Sequence, residues 1–205
     1  MDTMTRIEQA LQAALAGGEL PGCPPRLAAA MRHAVFPGGA RIRPQLCVAV
    51  ARACGDTDPA LSDAAAAAIE LLHCASLVHD DLPCFDNAAT RRGQASVHSA
   101  YGEKLAVLAG DGLIVMAFQT LALGAARSPG RLARLMATIG NGVGMPFGIT
   151  AGQAWECEPR VALSDYQRAK TGALFAAATC AGAEAAGMDG ATWRALGEWL
   201  GEAYQ

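Results

Sequence analysis

Apolar residues recur at intervals of three and four positions through most of this 205-residue chain, and no run alternates apolar with polar residues as a half-exposed strand would. Alanine, the strongest helix former, is abundant, whereas aromatic residues make up only 5% of the sequence. Glycines and prolines separate the periodic segments from one another. The pattern therefore predicts an all-α helical bundle that forms a single domain over residues 1–205.

The periodic segments define the predicted helices. They span residues 7–15, 27–35, 44–54, 59–79, 101–124, 130–140, 165–186 and 192 onward. The stretch 105–126 is long enough to cross a bilayer, but it contains Asp111 and Gln119, and polar groups are costly in hydrocarbon. We therefore predict a buried core helix there and no transmembrane segment.

Charge and cysteine content exclude several classes of protein. With 16 Lys+Arg against 19 Asp+Glu the formal net charge is −3, so the chain lacks the basic stripe that binds nucleic acid or an anionic membrane surface. The cysteines number seven, form no CxxC pair and follow no secretory signal. These features favour reduced thiols and a cytoplasmic location.

Three aspartates, Asp80, Asp81 and Asp86, lie just beyond the predicted helix 59–79. A helix C-terminus already carries partial negative charge, and neighbouring carboxylates repel one another. Bound cations would relieve this repulsion, and carboxylate oxygens are the ligands that Mg²⁺ prefers, together with water and substrate phosphates. The motif therefore predicts a magnesium site. The alternative is a solvated acidic turn.

Arginines with phosphate-binding geometry lie on both sides of these acids. Arg91 and Arg92 follow them, and the glycine-rich loop 38–44 earlier in the chain carries Arg41 and Arg43. A guanidinium group can hold two phosphate oxygens at once. Each arginine pair alone would be ordinary surface charge, but acids for a metal beside bases for phosphate predict a metal-bound polyphosphate substrate.

These motifs resemble those of the trans isoprenyl diphosphate synthases, and the resemblance covers nearly the whole chain. The matching segments, in the family's order, are the GGARIRP loop at 38–44, DDLPCFDNAATRRG at 80–93, GEKLAVLAGDG at 102–112, GQ at 152–153 and KTG at 170–172. The aspartate-rich segment with its arginine pair is the most specific of these. The resemblance implies the isoprenoid-synthase fold, a helical bundle around a central apolar cavity.

The resemblance also implies roles around a metal and an allylic diphosphate. Asp80 and Asp86 correspond to Mg²⁺ ligands, Asp81 supports them, and Arg91 holds the allylic diphosphate. The other implied contacts to that diphosphate are Lys170 and Thr171. The alternative for Lys170 is that it only solvates the surface of its helix.

A second group of residues resembles the isopentenyl diphosphate site. Arg43, His73 and Arg92 correspond to its contacts, although His73 could instead be a core histidine with satisfied hydrogen bonds. Gln205 matches the glutamine before the family's second aspartate-rich motif, and Gln153 is a weaker candidate for the cavity wall. Two polar residues have no implied chemistry and are expected to hydrogen-bond to neighbouring helices, namely His79 and Asp111.

The implied activity is that of a prenyltransferase, which condenses isopentenyl diphosphate with an allylic diphosphate, farnesyl or shorter. Mg²⁺-assisted ionisation is followed by head-to-tail addition and loss of a proton. Farnesyl-producing bacterial relatives have an aromatic residue five positions before the first aspartate, where this chain has Ala75, followed by Ser76. Small residues there imply geranylgeranyl diphosphate, which commonly feeds carotenoid or pigment biosynthesis. The family's members are homodimers, which implies the same here.

Three features depart from the family pattern. Ala40 replaces the usual lysine of the loop, and segment 87–89 is less acidic than in many relatives. The second aspartate-rich motif would begin about three residues after Gln205, so we expect a domain cut short before that motif. The chain is then expected to be either a fragment of an active synthase or a catalytically impaired form.

Two other functions remain open from the sequence. A non-catalytic partner subunit of a prenyl synthase would typically lack the aspartate-rich motif and carry a Cys-x-x-x-Cys pair, whereas this chain keeps the motif and has no cysteines at that spacing. A class I terpene cyclase would share the metal-dependent ionisation but would not need Arg43, His73 and Arg92 for a second diphosphate.

Overall fold

The computed structural model describes residues 2–204, which fold into a helical bundle with one short hairpin. The helices are α1 (Thr3–Gly18), α2 (Pro25–Val35), α3 (Ile42–Ala53), α4 (Pro59–Asp80), α5 (Val97–Tyr101), α6 (Glu103–Gly124), α7 (Pro129–Val143), α8 (Ile149–Ala154), α9 (Leu163–Gln167), α10 (Ala173–Ala185) and α11 (Arg194–Ala203). A π-helical turn, Arg168–Gly172, joins α9 to α10. The all-α prediction is confirmed.

Several local elements were not predicted. The antiparallel strands β1 (Thr90–Arg91) and β2 (Gln94–Ala95) are two residues long, too short to leave an alternating pattern in the sequence. Helix α8 has only six residues, and the predicted helix 165–186 is divided into α9, the π-helical turn and α10. Both differences lie beside the cavity described below.

Helices α4 and α10 form the centre of the bundle because they are apolar on nearly every face. The alanines at 64–68 of α4 are all buried, and their small side chains allow close packing against α6. All residues of α10 except its first are buried, and the helix contacts α3, α4, α7 and α11. The C-terminus of α4 and the N-terminal end of α10 carry the polar site.

Helix α6 is buried on one face only, so the prediction of a buried core helix is wrong for its other face. Ala106, Ala109 and Leu113 are buried against the bundle, whereas Leu108 and Val115 are 50% and 56% exposed. By length and composition α4 and α6 could each cross a membrane, but 78% of the apolar window of α4 is buried against 39% of that of α6. The absence of a transmembrane segment stays a prediction.

Candidate active site

The turn after α4 folds back over the helix end. The backbone N–H of Asp86 donates to the carbonyl oxygen of Asp80 at 3.0 Å, and that of Ala88 donates to Asp81 at 3.1 Å. These bonds satisfy carbonyls that have no partner within the helix. As a result, Asp86 lies beside Asp80 although five residues separate them in the sequence.

A third carboxylate completes this acidic end of the site. One carboxylate oxygen from each of Asp80, Asp86 and Glu156 lies within 4.8 Å of the other two. Carboxylate oxygens are the ligands that a hard divalent cation prefers, so the residues fit Mg²⁺. The sequence analysis missed Glu156, because its position depends on how α8 packs. The available signal was Gln153, which lies three residues earlier and donates to Glu156 Oε2 at 2.9 Å.

Lys170 crosses between two of these acids from the π-helical turn. Its Nζ lies 3.3 Å from Asp80 Oδ1 and 2.6 Å from Glu156 Oε1. Gly152 allows this turn to approach α8, since a Cβ there would lie 2.4 Å from the backbone nitrogen of Lys170. Burial alone would lower the pKa of Lys170, but hydrogen bonds to Glu156 and Tyr166 and the charge of Asp80 raise it. The alternative of a merely solvated lysine is therefore wrong.

Asp81 points away from the acidic cluster and pairs with Arg91. Asp81 is buried, and Arg91 Nε donates to its Oδ1 at 3.0 Å, with a second close bond from Nη2. The hydrogen bond to Asp81 raises the pKa of Arg91, while Nη2 also lies 3.9 Å from Asp80 Oδ2. The guanidinium is thus held at the edge of the cluster, with Asp81 supporting it rather than a metal.

A basic end of the site forms around His73. Arg43 Nη1 and Arg92 Nη2 each lie 3.5 Å from His73 Nε2, so a neutral imidazole can accept from either guanidinium. Burial, followed by the charges of Arg43 and Arg92, lowers the pKa of His73 well below its usual value. The Arg43 guanidinium lies over the ring of Phe175, 4.4 Å from its centroid. Arg43 Nε is buried without a hydrogen-bond partner among residues 2–204.

The two arginines of the glycine-rich loop have different environments. Arg41 is buried and pairs with Glu70 at 2.7 Å and Glu8 at 2.9 Å. By contrast, no ion pair within the described part of the chain includes Arg43 or Arg92. Arg41 therefore holds the loop in place, and the other two guanidiniums are left for an anion.

One cavity of about 320 Å³ connects the acidic and basic residues. Arg43, His73, Asp80 and Lys170 all line it, and His73 and Asp80 lie on one helix about 10 Å apart at 1.5 Å per residue. Its remaining wall residues include Ser76, Leu77, Phe85, Ile149, Gln153 and Thr171. The cavity can therefore hold two anionic groups with apolar surface between them.

Comparisons with known proteins assign this arrangement to a family. The family model for polyprenyl synthetases matches residues 24–205. The chain belongs to the polyprenyl synthetase family. This polyprenyl synthetase is 58% identical over 200 residues to a geranylgeranyl diphosphate synthase of Cereibacter sphaeroides and 56% identical to one of Rhodobacter capsulatus. Both alignments cover 98% of this chain and 69% of the relative.

Solved structures of similar proteins share the fold of this polyprenyl synthetase. An FPP/GFPP synthase from Zymomonas mobilis superposes with a TM-score of 0.86 at 33% identity, covering 99% of this chain and 78% of that one. A geranyltransferase from Legionella pneumophila gives a TM-score of 0.86 at 31% identity, covering 99% and 74%. The isoprenoid-synthase fold implied by the sequence motifs is therefore confirmed.

Most predicted site residues of this polyprenyl synthetase come together, with two exceptions. Ser76 lies on the cavity wall, but Ala75 is buried in the hydrophobic core and is not among the wall residues. Gln205 lies outside the described residues. The catalytic and binding roles assigned to the individual side chains stay predictions.

Proposed function

We propose that this polyprenyl synthetase is a geranylgeranyl diphosphate synthase that condenses isopentenyl diphosphate with farnesyl diphosphate or a shorter allylic diphosphate. The observation that carries the proposal is a cavity lined by Asp80 and Lys170 in one part and by Arg43 and His73 in another. Further carboxylates lie beside Asp80, and the guanidinium of Arg92 lies beside His73. A reaction that joins two diphosphates needs both parts. The names of the two relatives at 58% and 56% identity support the same product.

In the acidic part, Asp80, Asp86 and Glu156 would hold Mg²⁺. When bound, Mg²⁺ neutralises diphosphate oxygens and stabilises the negative charge that develops on the leaving pyrophosphate. Arg91 and Lys170 add fixed positive charge at the same place, and a charge aimed at the leaving group lowers the barrier without reorganisation. The hydroxyl of Thr171 contributes a further polar contact from the cavity wall.

In the basic part, Arg43, His73 and Arg92 hold isopentenyl diphosphate. Anchoring this substrate directs its double bond at the allylic carbon, so that a carbon–carbon bond forms once the allylic carbon–oxygen bond has broken. Proton loss then restores an alkene, with the released pyrophosphate as the base. The apolar side chains of Leu77, Phe85 and Ile149 line the same cavity and exclude water from the allylic cation.

The length of the product depends on the space available near Ser76 and Ala75. Ser76 on the wall leaves room for a growing chain, and Ala75 is buried beside it in α4. We expect Ser76→Phe to shorten the product to farnesyl diphosphate by filling the cavity. Ala75→Phe is expected to shorten it as well, by pushing α4 side chains into that space. Unchanged product length in both variants would contradict a chain-length role for this part of α4.

The proposed function is tested by incubating the purified full-length protein with Mg²⁺, isopentenyl diphosphate and farnesyl diphosphate and identifying the products by mass spectrometry. Geranylgeranyl diphosphate is the expected product. A cyclic hydrocarbon would contradict the proposal in favour of a terpene cyclase. Absence of product until another synthase subunit is added would contradict it in favour of a non-catalytic partner.

We also propose that the protein is a homodimer that pairs through the exposed face of α6. Val107, Leu108, Val115 and Leu123 are 42%, 50%, 56% and 79% exposed on that one helix. A two-fold axis would place the same apolar row of a second copy against it, which removes both rows from water. The enzyme is further proposed to act in the cytoplasm.

The dimer surface is tested with Leu108→Glu/Val115→Glu, examined by light scattering during gel filtration. We expect a dimer for the unaltered protein and a monomer for the double variant, because buried unpaired carboxylates are costly. Leu20→Glu is the matched control, since Leu20 is 64% exposed on the turn between α1 and α2. A dimer that persists in the double variant would exclude α6 as the interface.

A further inference from the structure

His79, the residue before Asp80, lies flat against a glycine of the neighbouring helix. A Cβ added to Gly110 of α6 would lie 2.1 Å from His79 Nε2, 2.5 Å from Cδ2 and 2.7 Å from Cε1. Three ring atoms therefore occupy the volume that any other residue at 110 would fill. The absence of a side chain at Gly110 leaves a slot between α4 and α6, and the imidazole occupies it.

Polar contacts hold the ring in this slot. His79 Nε2 lies 3.3 Å from the backbone oxygen of Val107 and 3.7 Å from Asp111 Oδ1, both on α6. The Nε2–H donates to that carbonyl, which fixes the plane of the ring. The expectation that His79 bonds to a neighbouring helix is confirmed. Its ring also forms part of the cavity wall next to Asp80.

The C-terminus of α4 concentrates negative charge, so a contact that holds this end against α6 stabilises it. Asp80 is the last residue of the helix, where the helix dipole is negative, although the N–H of Asp86 satisfies its carbonyl. Asp81, Asp86 and Glu156 add further negative charge close by. Lys170 and Arg91 balance only part of this charge, so without a metal the remaining repulsion favours opening of the last helical turn.

We propose that His79, seated on Gly110, is a positioning residue that fixes the direction of the Asp80 carboxylate for Mg²⁺ and diphosphate binding. The inference rests on the proposed function, because it concerns the same acidic end of the cavity. Loss of the His79–Gly110 contact keeps all three carboxylates but lets the Asp80 side chain adopt several orientations. Mg²⁺ binding must then order this side chain, which lowers the Mg²⁺ affinity. The basic end, built from Arg43, His73 and Arg92, does not depend on this contact.

The test measures how much Mg²⁺ is needed to raise the melting temperature in the presence of inorganic pyrophosphate. For His79→Ala and Gly110→Ala we expect about a tenfold higher Mg²⁺ requirement, the usual scale for losing a group that orients a metal ligand. His79→Gln keeps a donor that reaches the Val107 carbonyl, so it should restore most of the affinity. If Gly110→Ala fails to fold, His79→Ala still provides the test, because it only removes atoms.

Gly124→Ala is the matched control for disturbed helix packing. A Cβ at Gly124 would lie 2.2 Å from the Cβ of Ala64, in the same α4–α6 contact but about 21 Å from Gly110 along α6 at 1.5 Å per residue. This variant should lower the melting temperature without ligand and leave the Mg²⁺ requirement unchanged. A KM for isopentenyl diphosphate that stays constant in His79→Ala would further separate positioning of Asp80 from general damage.

Equal Mg²⁺ requirements for His79→Ala and the unaltered protein would overturn the inference, as would an equal increase in Gly124→Ala. Product analysis of the unaltered protein is run in parallel. If that protein makes no geranylgeranyl diphosphate, the proposed function fails while the Mg²⁺ comparison remains valid. If it makes the product and His79→Ala binds Mg²⁺ normally, only the positioning role fails.

Discussion

The acidic and basic ends of the cavity differ in how far the protein neutralises its own charge. At the acidic end, Lys170 pairs with both Asp80 and Glu156, so part of the negative charge is balanced before any ligand binds. At the basic end, Arg43 and Arg92 both contact the neutral ring of His73, and neither forms an ion pair within residues 2–204. At the acidic end, a metal ion can therefore replace Lys170 as the partner of the carboxylates and leave the lysine for a diphosphate. The basic end can bind an anion without a metal.

The largest expected effect comes from removing a carboxylate at the acidic end. Asp80→Asn deletes one charge of the cluster and leaves Lys170 paired with Glu156 alone. Loss of a group that only orients a metal ligand lowers metal affinity or activity about 10- to 100-fold. We therefore expect kcat to fall by at least about 100-fold when the ligand itself is lost. Steady-state kinetics at saturating substrates measure this effect.

Asp165→Asn is the control for Asp80→Asn. Asp165 forms an exposed ion pair with Arg168 in α9 and the π-helical turn, and such surface pairs contribute little. It should leave kcat nearly unchanged. An equal loss of kcat in the two variants would show that Asp80 has no larger role in the reaction than an ordinary surface acid.

A smaller effect is expected at the basic end. Arg92→Gln removes one of the two guanidiniums that contact His73, and a hydrogen bond to a charged group is worth about 1.5–3 kcal/mol. The KM for isopentenyl diphosphate should rise about 10- to 100-fold, with the KM for the allylic substrate unchanged. Initial rates with each substrate varied in turn separate the two. A matching rise for the allylic substrate would show that the two ends do not bind separate diphosphates.

The smallest effect concerns the pH dependence of stability. Burial and two guanidiniums lower the pKa of His73 well below 6.5 in the folded protein, so the unfolded chain binds the proton first as pH falls. The free energy of unfolding should therefore decrease below pH 6.5, by up to about 1.4 kcal/mol per pH unit until the folded pKa is reached. Urea unfolding between pH 7 and 5 measures this slope.

His73→Gln should make that slope shallower, because the proton-binding group is gone. Added isopentenyl diphosphate should do the same in the unaltered protein, since an anion between Arg43 and Arg92 cancels the charge that lowers the pKa of His73. An unchanged slope in His73→Gln would mean that other groups dominate the acid sensitivity.

Much of the fold follows from local signals in the sequence. Gly17 and Gly18 end the first helix, Pro59 begins α4, and the run of alanines at 64–68 indicates a helix buried on most sides. The motifs also indicate that Asp80, Asp86, Arg43 and Arg92 belong to one site, since acids for a metal and bases for phosphate serve the same substrate. These features depend on helix periodicity, helix ends and local motifs, which a single sequence contains.

The remaining features depend on contacts between distant segments. Arg41 and Arg43 are equivalent in the sequence, and only packing shows that Arg41 pairs with Glu70 while Arg43 faces the cavity. Glu156 reaches Asp80 through the contact of α8 with the π-helical turn, which no local pattern specifies. The exposed apolar row of α6 was missed because apolar composition alone does not distinguish a buried helix face from an exposed one.

The most direct test of the two-ended site is a crystal structure with Mn²⁺ in place of Mg²⁺, isopentenyl diphosphate and a thio analogue of the allylic diphosphate that does not ionise. We expect anomalous peaks for Mn²⁺ between the analogue and the carboxylates of Asp80 and Asp86, and a second diphosphate on Arg43 and Arg92 with no metal beside it. Mn²⁺ bound away from Asp80 and Asp86, or bound to the isopentenyl diphosphate, would contradict the assignment of the two ends.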